Sequence, residues 1–195
     1  MRALFGFVLL ACMTGNAQAF EWRALEWRVG VAYASGLSEV TDLHEDNLRA
    51  EGLEADVDLK FPLGITAGVT YDWPSGMRAD LTLGPTFFIG GDVSHFELPV
   101  GASIGYNFAP NADVSPYVRA GVIHHIASGD YESSTNPGLL VAAGHDFQRL
   151  TIEVAFDDTD VEFEAAQCDA EGNSRPGFET LNTYEVIASV FWRFR

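Results

Sequence analysis

From Leu53 to Trp73 every second residue is apolar: Leu53, Ala55, Val57, Leu59, Phe61, Leu63, Ile65, Ala67, Val69, Tyr71 and Trp73. The residues between them are charged, small or hydroxylated, among them Glu54, Asp56, Asp58, Thr66 and Thr70. Successive side chains of a strand point to opposite faces, so the stretch reads as one long two-faced ribbon. A helix would spread the same apolar set around its whole circumference. The length and the unbroken apolar face predict a membrane-spanning strand, with lipid on one side and a barrel interior on the other. A tilted membrane strand needs only about 9–11 residues. Leu63–Trp73 is therefore expected to cross the membrane. Leu53–Phe61 is expected to project beyond it after a bend at Pro62-Leu63-Gly64, with Glu54, Asp56 and Asp58 lining the mouth.

The same alternation recurs along the chain. Leu25–Ala34 opens it, with Trp27, Val29, Val31 and Tyr33 opposed to Arg28 and Gly30. Residues 36–52 are polar and acidic and read as a long loop. Pro74-Ser75-Gly76 is a tight-turn sequence. Met77–Ile89 then places Arg78, Asp80 and Thr82 inward, with an irregularity expected at Gly84-Pro85. Phe96–Phe108 alternates with Glu97 inward. In the strand starting at Tyr117, Arg119 and His125 point inward, although Ile123 and His124 then carry the wrong chemistry for their faces. Residues 128–137 read as a second long loop, followed by strands Gly138–Phe147 and Leu150–Asp157, the latter with Glu153 inward. The pattern slips phase at Asp157-Asp158, and 165–180 reads as a polar loop. Tyr184–Phe194 closes the series, with Tyr184 and Trp192 outward and Glu185 and Arg193 inward.

These segments predict an all-β fold, an eight-stranded antiparallel up-and-down transmembrane β-barrel. No apolar run reaches the roughly 20 residues a spanning helix needs. Met1–Ala19 has a basic start, a short apolar centre and an Ala17-Gln18-Ala19 cleavage site, which predicts a signal peptide over 1–19 and a barrel domain over 20–195. Leu9-Leu10-Ala11-Cys12 is an alternative, lipoprotein-type processing site. Past the signal, Cys168 stands alone, so an internal disulfide is excluded. The formal charge is −17. So acidic a chain is not expected to bind nucleic acid, whereas its loop carboxylates suit divalent cations. An even strand number, with long connections after strands one, five and seven, predicts both termini on the periplasmic side.

The segments Glu97-Leu98-Pro99-Val100-Gly101 through Tyr106-Asn107-Phe108, and Ser115-Pro116-Tyr117-Val118-Arg119-Ala120-Gly121-Val122, resemble small Gram-negative outer-membrane barrels of the OmpX/OmpA type. The Tyr184–Phe194 stretch is similar to the terminal strand read by the barrel-assembly machinery. The resemblance implies an outer-membrane location and contact with lipid and lipopolysaccharide, and says little about function. Its members include structural proteins, adhesins, small channels and lipid-modifying enzymes.

An eight-stranded barrel has an interior that side chains can fill. The inward set Arg28, Glu54, Asp56, Asp58, Arg78, Asp80, Glu97, Arg119, Glu153, Glu185 and Arg193 mixes both signs and is expected to pair and plug it. A structural or surface-interaction role through the loops follows. A narrow transport barrel for small or apolar solutes is the alternative, and a lipid-modifying enzyme the third reading. Catalysis finds little support. His124 and His125 point to opposite faces, and no His-x-Ser puts a base two residues from a nucleophile. The pattern calls for no cofactor.

Overall fold

Backbone pairing turns the predicted ribbons into a closed wall. The computed structural model describes residues 25–54, 57–59, 63–91, 95–110, 112–168 and 174–194. The signal segment and Asp56 lie outside the described residues. Among the described residues the barrel strands are β1 (Leu25–Ala34), β3 (Gly64–Asp72), β4 (Met77–Gly91), β5 (His95–Asn107), β6 (Val114–Gly129), β8 (Gly138–Phe147), β9 (Leu150–Asp157) and β12 (Val186–Phe194). Each pairs antiparallel with its neighbours, and β12 returns to β1 through Trp27↔Phe194 and Val31↔Val190. The eight-stranded antiparallel barrel is thus closed, with no free edge.

Its faces are inverted relative to a soluble sheet. Exposed apolar side chains cover the outer wall, Ile65 at 68% and Trp27 and Leu139 at 59%. Arginines and carboxylates fill the inside. The turn at 74–76 forms as its residues require: Gly76 has φ +86, and a Cβ there would lie 2.7 Å from the Asn107 carbonyl oxygen. In β6 the alternation runs unbroken, leaving Ile123 and His125 buried and His124 exposed on the outer wall. In β4 the expected irregularity is present. Pairing with β3 and with β5 shifts register around Gly84, and Pro85 turns inward, not outward.

At the end opposite the termini the structure departs from the sequence reading. Residues 36–52 are not a loop: Leu37–Ala50 is a helix, α1, lying over the barrel mouth. Its buried face is Leu37, Val40, Leu43, His44, Asn47 and Leu48, an i, i+3, i+7 stripe. It ends on Gly52, at φ +78, with Gly52 N–H donating to the Arg49 carbonyl and Leu53 N–H to that of Leu48, both 3.0 Å.

The segments read as loops 128–137 and 165–180 are also largely strand. β7 (Glu132–Thr135), β10 (Asp160–Cys168) and β11 (Ser174–Asn182) form a three-stranded sheet beyond the barrel. β2 (Val57–Leu59) pairs antiparallel with the last residues of β4 at the same end. Val40, Leu43 and Leu48 pack with Val57, Val161 and Phe163 in an apolar core beneath α1.

That core accounts for two departures, and a bend accounts for a third. Val57 turns its side chain into that core, whereas Leu53 on the same phase is exposed, and Glu54 is exposed instead of lining the mouth. The slip after Asp157 is a change of chemistry, not of geometry: Thr151, Glu153, Asp157, Val161 and Phe163 are all odd-numbered and all buried. Finally, Tyr184 is buried and Glu185 exposed, the reverse of the expectation. Residues 183–185 form the bend between β11 and β12, so strand alternation begins only at Val186.

Candidate functional site

The lumen is built in tiers. At the terminal end Arg193 grips Glu26 through Nε and through Nη2, the latter at 2.8 Å, while its Nη1 donates to the Phe147 carbonyl at 3.0 Å. Arg78 Nη1 donates to Asp146 at 2.8 Å, and its Nε lies 3.3 Å from Asp80 and 3.7 Å from Asp72. The guanidinium of Arg78 stacks 3.9 Å over the Tyr117 ring.

In the next tier Arg119 holds Glu153 in a fork, Nε at 2.8 Å and Nη2 at 2.7 Å, with Nη1 donating to Ser103 at 2.8 Å. Paired parallel N–H···O bonds fix both partners in position and direction. Tyr117 donates to the same carboxylate at 2.6 Å. Arg28 sits 3.0 Å from Asp80 and 3.9 Å from Glu153, in ion-pair range without a hydrogen bond, and covers the Phe191 ring at 4.7 Å. Thr70 donates to Asp80 at 2.6 Å. Two glycines make room for these long side chains: a Cβ on Gly68 would lie 2.8 Å from Arg28 Nε, and one on Gly144 would lie 2.6 Å from the Tyr117 hydroxyl.

Above lies an apolar belt including Ala32, Ile123, Leu140, Ala155 and Ile187. A cavity of about 20 Å³, room for about one water molecule, lies beside it, lined by Gly84, Pro85, Ile123, Phe191 and the Arg119–Glu153 pair. The upper polar tier centres on Glu97, which accepts from His125 Nδ1, from His95 Nε2 at 3.2 Å and from Thr183 at 2.8 Å. His125 Nε2 faces Asp157 at 2.8 Å, and Tyr184 packs edge-on to its ring.

Of the sequence-predicted lumen residues, Arg28, Arg78, Asp80, Glu97, Arg119, Glu153 and Arg193 are buried inside. All but Glu97 converge in the two lower tiers. Glu54 and Glu185 are outside the lumen; Asp56 and the side chain of Asp58 lie outside the described residues. Sequence reasoning missed Glu26, Asp146, His95 and Tyr117 as members of the network. Glu26, Asp146 and Tyr117 stood on the polar phase of their strands and were recoverable from it. It also missed His44, which reaches the mouth on a helix that it did not foresee.

Among the described residues no group of three or more histidine, cysteine or acidic side chains has the arrangement to hold a metal. Both nitrogens of His125 are engaged by carboxylates, so it bridges fixed groups and presents no free base to a substrate. The side chain of Cys168 lies outside the described residues.

A search of curated proteins finds no match. Among solved structures, the outer membrane protein OprG from Pseudomonas aeruginosa is similar, with TM-score 0.54, 15% identity, 88% of this chain covered and 95% of that one. This likeness is one of fold. Neisserial surface protein A matches at TM-score 0.40 and 13% identity, covering 87% of this chain and 93% of that one. The family model described as "Outer membrane protein beta-barrel domain" matches residues 5–194. The inverted faces, the closed wall and this match agree, and the chain belongs to the outer membrane protein β-barrel domain family.

Proposed function

We propose that this protein is a closed, non-enzymatic barrel of the outer membrane whose role is structural or lies in surface interaction at its capped end. The observation that carries the reading is the filled lumen. Two tiers of buried ion pairs, an apolar belt, the Glu97 cluster and α1 succeed one another from the termini to the mouth. A continuous water path through such packing would have to strip charges of their partners, which costs several kcal/mol per ion.

In this reading both termini are periplasmic, and α1 with the three-stranded sheet faces outward. The apolar wall meets lipid and lipopolysaccharide, and β12 is the strand that the barrel-assembly machinery reads during insertion. Exposed carboxylates on the capped end, among them Asp42, Asp46 and Glu164, give divalent cations their natural oxygen ligands.

A second reading, a narrow transport barrel for small or apolar solutes, draws on the cavity beside the irregular stretch of β4. Planar-bilayer recording on the refolded chain at neutral pH separates the two. A flat trace is the expected result. Discrete conductance steps would overturn the closed-barrel reading.

A further inference from the structure

We propose that α1 is an acid-released lid, lifted from the barrel mouth when His44 takes a proton in its buried seat against His95. This goes beyond the structural role: it gives the mouth a second, open state.

The seat is built against a charge. His44 is fully buried, and it is the one titratable group on the buried face of α1. Its Nδ1–H donates to the Val40 carbonyl at 2.8 Å, so Nε2 is the nitrogen left to accept a proton; Nε2 is buried and makes no well-formed hydrogen bond, the Asp130 backbone being the one further polar group that favours the charged ring. The ring is enclosed by His95 from β5 at 5.7 Å between centroids, Tyr131 from the β6–β7 turn at 5.8 Å and Phe163 from β10 at 5.8 Å. The charged and titratable groups around it are therefore His95, Tyr131 and Asp130. Glu97, one residue layer below, already serves His95, His125 and Thr183.

Burial, first of all, and the facing His95 hold His44 below the usual histidine value of 6.5, against the opposing pull of the Val40 carbonyl and of Asp130. The seated helix thus binds fewer protons than the released helix between 6.5 and that lowered value. Seating is favoured above 6.5 and is lost progressively as pH falls below it.

Release must break the polar ties of the helix and withdraw Val40, Leu43 and Leu48 from the core beneath it. Asn47 Nδ2 donates to the Glu164 carbonyl at 2.8 Å, and the Tyr131 hydroxyl donates to Glu51 at 2.8 Å. Both tethers of the helix end in glycine: Gly36 precedes it and Gly52 follows it.

Hydrogen exchange on the full chain refolded in lipid nanodiscs, corrected for the chemical exchange rate at each pH, tests the lid. From pH 7.5 to 5.0, opening of the Leu37–Ala50 amides is expected to rise severalfold as seating loses its pH-dependent contribution. The β6 amides should stay unchanged. His44→Phe keeps a ring in the seat and removes the proton site, and should abolish the rise. Equal protection of α1 at both pH values in the native chain would overturn the proposal, however the variant folds. So would an undiminished acid response in His44→Phe.

Discussion

Replacing Arg119 by Met keeps most of the aliphatic stem and deletes the guanidinium that organises the middle of the lumen. The structure sets the cost. Three charge-assisted bonds disappear, at 2.8 and 2.7 Å to Glu153 and 2.8 Å to Ser103. Each contributes about 1.5 kcal/mol or more. Glu153 is left buried as an anion, still receiving Tyr117 but with its nearest remaining cation, Arg28, at 3.9 Å. Breaking a buried pair from one side typically costs about 3–5 kcal/mol, and the same range applies here. Urea titration of folding into lipid vesicles, followed by tryptophan fluorescence, should show that loss. Arg119→Met with Glu153→Gln removes the stranded charge while keeping an acceptor for Tyr117, and should recover about half of the cost. A loss below about 1 kcal/mol in the single variant would refute the view that this pair carries the packing of the lumen.

Other expectations follow from local geometry. Gly52→Ala meets nothing within 4 Å, so its penalty is purely the left-handed backbone, about 1 kcal/mol; tryptic cleavage after Arg49 should accelerate accordingly. Gly68→Leu would drive its Cβ to 2.8 Å from Arg28 Nε and 2.9 Å from the Leu81 carbonyl oxygen, and the variant should fail to give the heat-sensitive gel mobility expected of the native barrel. Trp27 and Trp192 both face outward and sit two rungs apart at the terminal end, so brominated lipids should quench both most strongly when the bromine is near the headgroups. Unquenched tryptophans would place that wall outside lipid.

Much of the barrel was legible because one physical rule holds over most of its height, interrupted inside by the apolar belt of Ile123, Leu140 and Ile187. Inside polar and outside apolar, with period two, fixes the inward face of β1, β5, β6, β9 and most of β12 from the residue types alone. Arg28, Arg119 and Glu153 fall out of that rule, although which charge meets which does not, since pairing depends on shear between strands distant in sequence. The capped end was misread because the rule reverses there. Val57 and Phe163 face a small water-surrounded core and obey ordinary burial, so reading them by the membrane rule assigns the wrong side. The helix was legible in principle. Leu37, Val40, Leu43, His44, Asn47 and Leu48 have helical spacing, and Gly52 marks the stop. Its acidic exposed face masked the stripe, making the segment look like loop by composition.

The continuous odd-numbered series from Thr151 to Phe163 has a consequence for how this sequence tolerates change. Along one unbroken inward face the preferred chemistry reverses between Asp157 and Val161, passing through the buried Thr159. A saturation scan of the series should show the selective value of hydrophobicity changing sign at that level: Leu rejected at 153 and 157, Glu rejected at 161 and 163. The crossover residue would act as a depth gauge, written in substitution tolerance, for where hydrocarbon gives way to water. The stem and the crown of the molecule can then drift under separate rules, joined by strands that belong to both.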